Sequence, residues 1–364
     1  MLKKLWSKGF RNLKECVLEF SDASYVIVGE NNQGKTSLLE SIYVAICGRS
    51  PIEDDRAVLV SWYEDHLFLG LDFDDHHKTH RVSSKITKDG VPSISLDNRP
   101  MSLSNGIQDM CWIEFIGSDD WKLFKESPSY RRSSIDAFCI RYFPQFQHLK
   151  KKYDGIIRQK NRLLSLFPVD ESQLDIWNQY LLEYAVKIVQ YRQEGLYVLQ
   201  EKIKEIGLSQ GQDWIHTMHI LYQFQKKDSA KEISYSTYLH HKITQGKAKE
   251  IQAKLSLYGP HRDDFDLYVH DRSFHKYHSR GIQKMVSLWF KWAHFFLLEE
   301  ISERFPILLL DDTFSEMDFK TKKMALANMD QKIPIFYTTI QESDKDLFDK
   351  RCLLQVKEGV VLSG

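Results

Sequence analysis

The stretch Val26-Ile27-Val28-Gly29-Glu30-Asn31-Asn32-Gln33-Gly34-Lys35-Thr36-Ser37 is a β-branched run feeding a Gly-x4-Gly-Lys-Thr loop, which opens directly into Leu38-Leu39-Glu40-Ser41-Ile42-Tyr43. This pattern constrains the fold more than any other feature, because the loop needs a strand before it and a helix after it. The two glycines let the backbone curl until successive N–H groups point inward, and the helix presents its partial positive charge to a polyphosphate. Lys35 is expected to reach the β and γ phosphates and the Thr36 hydroxyl to ligate Mg²⁺, with Gly29, Glu30, Asn31, Asn32, Gln33, Gly34 and Ser37 completing the nucleotide-contacting loop. A bland glycine-rich turn would not require the flanking strand and helix.

At 364 residues the chain suits two domains, or one domain carrying a large insertion. Its hydrophobic share of 42% and charged share of 27% are those of a globular protein in water. No run approaches the roughly 18 apolar residues of a membrane helix, and the start lacks an apolar secretory core, so no membrane contact and a cytoplasmic location are expected. Cys16, Cys47, Cys111, Cys139 and Cys352 form no Cys-x-x-Cys pair, and read as reduced thiols rather than zinc ligands or a disulfide framework. Lysine plus arginine equals aspartate plus glutamate at 50 each, so nucleic-acid contact has to come from local patches. Between Arg141 and Leu257 there are 18 Lys/Arg against 12 Asp/Glu, densest at Lys150-Lys151-Lys152 and Arg158-Gln159-Lys160-Asn161-Arg162. A solvated helical face is the competing reading of that excess.

The first hundred or so residues alternate short strand-like runs, Val17 to Phe20, Tyr25 to Val28, Leu67 to Phe73 and Ser93 to Leu96, with turns marked by Gly90, Pro92 and Asn98-Arg99-Pro100. From about Pro128, apolar residues recur at three and four residue spacings over Ala137–Phe143, His148–Phe167, Leu174–Gly207 and His240–Leu255, which predicts helices. Strands return at Phe265–Val269, followed by a long helix over about Gly281–Arg304, a strand at Ile307–Leu310, another at Ile335–Tyr337 and a terminal pair near Leu353–Leu362. The expected organisation is an α/β nucleotide-binding head split in sequence, residues 1–127 and 258–364, with a mostly helical insertion over 128–257.

Pro306-Ile307-Leu308-Leu309-Leu310-Asp311-Asp312 is an apolar strand ending in two carboxylates, the form of a Walker B element. Asp311 is assigned to the metal and Asp312 to polarising the attacking water. A core strand followed by a helix-capping Asp pair is the plainer alternative. Upstream, His278-Ser279-Arg280-Gly281-Ile282-Gln283-Lys284 opens the long helix, where a hydroxyl and free backbone N–H groups suit capture of a γ-phosphate from outside the P-loop. Alone this would be an ordinary helix cap. Together with Asp311-Asp312 and the turn Ser315-Glu316-Met317-Asp318, it reads as the signature of an ABC-type ATPase, in which two heads share nucleotide face to face.

With these elements in place the chain resembles the RecF family of bacterial DNA repair and recombination mediators, ABC-type ATPases related to the heads of SMC proteins. The resemblance spans Gly9-Phe10-Arg11-Asn12, Gly29 to Thr36, Ser127-Pro128-Ser129-Tyr130-Arg131-Arg132, Arg158 to Leu164, Leu174-Asp175-Ile176-Trp177, Tyr258 to Asp264, Ser279-Arg280-Gly281 and Leu308 to Asp318. It implies an ABC-type P-loop head with an SMC-like character, ATP and Mg²⁺ as cofactors, and an ATP-dependent homodimer that binds gapped duplex or single-strand/double-strand junction DNA. It further implies work with RecO and RecR, help in loading RecA during recombinational repair and the SOS response, and slow hydrolysis that resets the dimer. Carried onto this chain, Lys35, Thr36 and Asp311 bind nucleotide and metal, Asp312 supports hydrolysis, and Ser279, Gly281 and Gln283 close the partner's site. Thr338 or Thr339 takes the switch position, and Arg11 is a further nucleotide contact. Ile282 stands where the family carries glutamine, and Ser118-Asp119-Asp120-Trp121 replaces its customary Pro-Glu-Asp-Leu near the Q-loop.

Rival readings fit less well. A transporter's nucleotide-binding subunit or another SMC-like assembly shares the motifs, but a transporter subunit calls for a much shorter helical insertion. A long structural tether needs hundreds of heptad residues between the Walker elements, and a nuclease-bearing defence ATPase needs an extra acidic cluster after Asp318. A small-molecule kinase leaves the Ser279 helix without a purpose.

Overall fold

Two compact units divide the chain: Met1–Asp120 with Ser302–Gly364, and Trp121–Ile301. The computed structural model describes residues 2–21, 24–74, 78–89, 92–101, 111–117, 123, 127–224, 233–302, 305–315, 317–326, 333–348 and 351–363. Ser118 to Trp121, the expected Q-loop segment, and Glu316 of the turn after the Walker B strand lie outside the described residues.

In the first unit the P-loop strand is the middle of a buried parallel sheet. The strands β1 (Leu2–Lys8), β2 (Cys16–Glu19), β3 (Ser24–Val28), β4 (His66–Asp74), β5 (Thr79–Thr87), β6 (Ser93–Leu96), β7 (Arg99–Met101) and β8 (Cys111–Gly117) come from the first segment, with helix α1 (Lys35–Cys47) after β3. β1, β2, β4, β5, β6 and β7 form an antiparallel sheet in the order β2-β1-β4-β5-β6-β7. Along β5 burial alternates: His80, Val82, Ser84 and Ile86 point inward, while Arg81 turns outward to a bidentate pair with Asp72 at 2.8 Å and lies over the Trp6 ring.

α1 is buried almost throughout because it is covered from two sides. Leu38, Leu39, Ile42, Val44 and Ile46 share one core with Leu67, Leu69, Leu71 and Phe73 of the antiparallel sheet and with Ile113, Ile307, Leu309 and Phe336 of the parallel one.

The second segment contributes four strands from residues 305–363 to that sheet. The second unit, lying between in sequence, holds α2 (Pro128–Tyr142), α3 (Phe146–Leu164), α4 (Glu171–Ser209), β9 (Met218–Gln223), α5 (Tyr235–Ala253), β10 (Asp264–Val269), β11 (Arg272–Ser273), α6 (Phe274–Tyr277) and α7 (Arg280–Ile301). After it come β12 (Phe305–Asp311), α8 (Phe319–Leu326), β13 (Ile335–Thr339), β14 (Arg351–Lys357) and β15 (Val360–Ser363). The sheet order is β15-β14-β3-β13-β12-β8, with β14, β3, β13, β12 and β8 parallel. Leu308, Leu309 and Leu310 are completely buried, which is why this strand is a continuous apolar run rather than an alternation.

The second unit is not wholly helical, and it extends past the expected insertion boundary at 257 to Ile301. β9 lies within the insertion expected to be mostly helical, between two of its expected helices, and pairs antiparallel with β10 over Met218–Gln223 and Asp264–Val269. α7 docks on α4, where the Trp289 indole N–H donates to Gln210 Oε1 at 3.1 Å and the ring lies against Gly207. Residues 258–301, expected to rejoin the nucleotide-binding head, therefore pack with the helical unit.

Two of the resemblance segments meet inside this unit. Arg131 makes a bidentate pair with Asp264 at 2.8 and 2.7 Å, Arg132 donates to the Asp263 carbonyl at 2.8 Å, and buried Arg192 clamps Asp136 and donates to the Pro260 carbonyl. A third, within Arg158–Leu164, is also structural: buried Lys160 pairs with buried Glu250 at 2.7 Å, and Asn161 Oδ1 accepts from the Ser256 N–H. Among the described residues no helix is long and apolar enough to cross a membrane.

Candidate functional site

The parallel register explains why chemistry gathers at one edge of the first unit. β3 ends at Val28, opposite Thr339 of β13, and Thr338 is paired with Asp311 at the end of β12. The carboxyl ends of three adjacent strands thus deliver the P-loop, the carboxylates and the threonines to one place. A cavity of about 1000 Å³ opens there, lined by Lys35, Thr36, Ser37, Asp311, Asp312 and Thr338 on its floor, and by Arg11, Asn12, Trp62 and Tyr63 at its sides.

Backbone conformation makes the loop possible. Gly34 sits at φ +109 as the N-cap of α1, and Asn32 also has a positive φ of 67. At Gly29 a side chain would collide with the Val356 carbonyl of β14, so this position tolerates only hydrogen. The loop's outside is braced as well: Gln33 carbonyl accepts from the Gly359 N–H at 2.9 Å, and the Ser37 hydroxyl donates to Asn12 Oδ1 at 2.8 Å.

Lys35 folds its ammonium onto the loop, donating to the Gly29 and Glu30 carbonyls at 2.7 and 2.8 Å. Burial pulls its pKa down, and the neighbouring Asp312 and Asp311 charges oppose that shift. The Thr36 hydroxyl lies 3.0 and 2.9 Å from the two oxygens of Asp311, although the residues are 275 positions apart. Burial raises the Asp311 pKa, while hydrogen bonds from Thr338 and Thr36 act in the opposite sense. A buried carboxylate and a hydroxyl in contact form a hard-oxygen pair of the kind Mg²⁺ takes alongside phosphate oxygens and water. Among the described residues no group of three or more His, Cys, Asp or Glu could hold a metal.

Thr338, Arg11 and Asp312 also line the cavity, each held by its own local structure. Thr338 is fully buried beneath the floor, donating to Asp311 at 2.8 Å and accepting from the Asp312 N–H at 2.9 Å, so it braces the end of the carboxylate strand. Arg11 lines the cavity, but its guanidinium is paired with fully buried Glu40, which also accepts from Ser50. Asp312 has a positive φ of 49, a rare conformation for a residue with a side chain, and lines the cavity beyond Asp311.

Ser279, Gly281 and Gln283 belong to the second unit. Ser279 and Gly281 are exposed at the start of α7, and nothing lies within 4 Å of the position a Gly281 side chain would take. Gln283, expected beside them, is instead turned inward: it is buried, and its amide donates to the His275 and His278 carbonyls at 3.1 and 2.8 Å. It shapes the turn that displays Ser279.

Sequence reasoning missed Trp62 and Tyr63, which are 92% and 97% exposed at the cavity mouth. Two adjacent exposed aromatics are a recognisable signal only once their place is known. It also missed Asp344, which is fully buried and gathers Lys322, Tyr337 and Thr339 at 2.7–2.9 Å behind the switch strand.

Comparison with known proteins agrees with this architecture. A family model described as AAA domain matches residues 4–333. A DNA replication and repair protein RecF of Clostridioides difficile is 27% identical, covering 100% of this chain and 98% of that protein, and one of an Exiguobacterium species is 29% identical over 99% and 98%. A solved structure of the recombination mediator protein RecF with ATP superposes with a TM-score of 0.84 at 25% identity, covering 100% of this chain and 97% of that one. An Smc head bound to the C-terminal winged helix of ScpA shares the fold alone, at TM-score 0.56 and 15% identity, over 100% and 97%. With an ABC-type P-loop head, a matching domain over nearly its whole length and relatives of one name from end to end, the chain belongs to the AAA-domain family and, within it, to the RecF family.

Proposed function

We propose that this chain is an ATP-dependent DNA-binding protein of replication and recombinational repair, switched by nucleotide between separate and paired heads. The observation that carries the reading is the Thr36–Asp311 contact, which joins the P-loop to the Walker B strand at one end of the cavity. Lys35 and the loop amides of Gly29–Ser37 bind the triphosphate, and Thr36 and Asp311 hold Mg²⁺, which supplies charge neutralisation at the β and γ phosphates. Asp312 orients water for slow hydrolysis, with Thr338 fixing the backbone from which it projects. Ser279 and Gly281, exposed at the start of α7, seal the γ-phosphate in a second copy's site.

Nucleotide then has higher affinity for the pair than for the single chain, and only such a difference shifts the equilibrium. The DNA bound is gapped duplex or a single-strand/double-strand junction, held by the basic surface of the helical unit. RecO and RecR are the protein partners, RecA the indirect beneficiary, and the cytoplasm the location. These last assignments rest on family membership, and the named relatives act in DNA replication and repair.

Sedimentation with and without ATP·Mg²⁺ tests the scheme. Ser279→Arg should bind nucleotide as a single chain and yet form no ATP-induced dimer, whereas Lys35→Ala should lose nucleotide binding, the dimer and nucleotide-dependent DNA binding together. A Ser279→Arg chain that dimerises like the parent sinks the shared-site scheme.

A further inference from the structure

Building on the DNA-binding reading above, we propose that the connection between α3 and α4 is a contact for unpaired nucleic-acid bases, with α3 supplying the phosphate track that leads to it. Phe167 in that connection is 95% exposed and the adjacent Leu166 55% exposed, while the other exposed phenylalanines among the described residues, Phe68 and Phe319, stand at 41% and 42%. The hairpin does not need the Phe167 ring for its own packing. Leu163, Leu164 and Leu174 close the end of the hairpin, with Val169, Trp177 and Ile251 against them. An aromatic face held out on a packed base is poor protein surface and a good stacking platform, because every nucleobase offers a π-face.

The charge beside it favours nucleic acid over an apolar protein segment. Lys151, Arg158 and Arg162 are exposed on α3, and at about 100° per residue they fall within about 40° of one another around the helix that leads into the connection. Rising about 1.5 Å per residue, the three cations are about 10 and 6 Å apart along the axis, a spacing of one to a few phosphates on a strand. The acids nearby are engaged: Asp154, the one acid of α3, is bound by Lys150 at 2.6 Å, and Glu171 and Asp175 at the start of α4 are bound by Lys247 at 3.0 and 2.9 Å. Asp170 accepts the Gln173 N–H as the cap of α4. Phosphates along α3 would therefore meet cations with little competing negative charge.

The test uses the full chain with ATP·Mg²⁺ and three oligonucleotides: a single strand, a blunt duplex, and a duplex with an overhang carrying 2-aminopurine at its first unpaired positions. Phe167→Ala should weaken the single strand and the overhang about tenfold, abolish the 2-aminopurine fluorescence change and leave the blunt duplex alone. Phe167→Trp should restore both signals, while Phe167→Leu, equally apolar, should not. Arg158→Ala with Arg162→Ala should flatten the salt dependence of single-strand binding by a slope of about 1.4. Parent-like binding of all three oligonucleotides by Phe167→Ala overturns the proposal and leaves the tip to a protein partner. A parent chain that binds none of them overturns the DNA-binding reading itself.

Discussion

Thr338 ties the Asp311 carboxylate to the Asp312 backbone at the end of the Walker B strand: its hydroxyl donates to Asp311 at 2.8 Å and accepts the backbone N–H of Asp312 at 2.9 Å. A fully buried side chain on the neighbouring strand thus holds the Asp311 carboxylate and the backbone from which Asp312 projects, and its hydrogen bond opposes the rise in the Asp311 pKa that burial causes. Thr338→Val keeps the shape but strips both hydrogen bonds. It should cost about 1–3 kcal/mol of stability and reduce the gain in nucleotide affinity that Mg²⁺ confers, while metal-free nucleotide binding stays near the parent value. Thr338→Ser should restore the Mg²⁺ effect. Titration of a fluorescent ATP analogue with and without the metal reads the difference.

The aromatic pair at the cavity mouth should recognise the base rather than the phosphates. Trp62→Ala is expected to weaken ATP binding by about tenfold, the value of one stacked base, and to leave tripolyphosphate binding unchanged. Calorimetric titration with each ligand distinguishes the two, and an equal loss for both would assign Trp62 to the fold.

Lys160 and Glu250 form an ion pair with both side chains fully buried. Burial lowers the Lys160 pKa, and the Glu250 charge is what opposes that shift. Removing one partner strands the other, so Lys160→Met should destabilise the helical unit by about 3–5 kcal/mol. Adding Glu250→Gln should recover much of the loss, since the amide still accepts the Leu257 N–H through its oxygen. Urea unfolding followed by circular dichroism measures both variants; a double variant no more stable than the single one would contradict the pairing argument.

His261 is held neutral. Tyr153 lies 2.6 Å from its Nδ1, and Nε2–H donates to the Ser256 carbonyl at 3.2 Å; burial brings the pKa down to about 4. A depressed histidine pKa contributes stability that is complete above about 6.5, where the unfolded chain is also neutral, and is lost as pH falls through about 4. Asp263, raised to about 6 by burial, works the other way: its contribution is full below 3.8 and is lost as pH rises through about 6. The two partly cancel in the parent. His261→Gln should therefore remove the acid-side loss and make the unit relatively more stable at pH 5 than at pH 7, by about 1–3 kcal/mol between the two conditions. Thermal melts of both proteins across that range check the sign.

The elements legible in the sequence were those whose chemistry is local. The P-loop needs its glycines because of backbone angles at Gly34 and the close approach of β14 to Gly29, and the helices of the second unit announce themselves by spacing. Strands β1, β5, β7 and β8 were less visible, because β1 and β5 carry outward lysines and arginines paired across the sheet, and pairing of this kind leaves no local period. β9 was not picked out between the expected helices because its partner, β10, lies some forty residues on.

Residue type and spacing by themselves determined that this chain holds a phosphate loop, a carboxylate-ended apolar strand and a helix opened by Ser279, since each depends on backbone angles and hydrophobic runs within a dozen residues. Only the tertiary structure decided which of the named groups are free to act. It turned Gln283 and Thr338 inward, tied Arg11 to Glu40, and set Trp62 and Tyr63 at the cavity mouth. The physical reason is that a polar side chain's role is set by the partner it meets on burial, and those partners come from strands and loops far away in the chain.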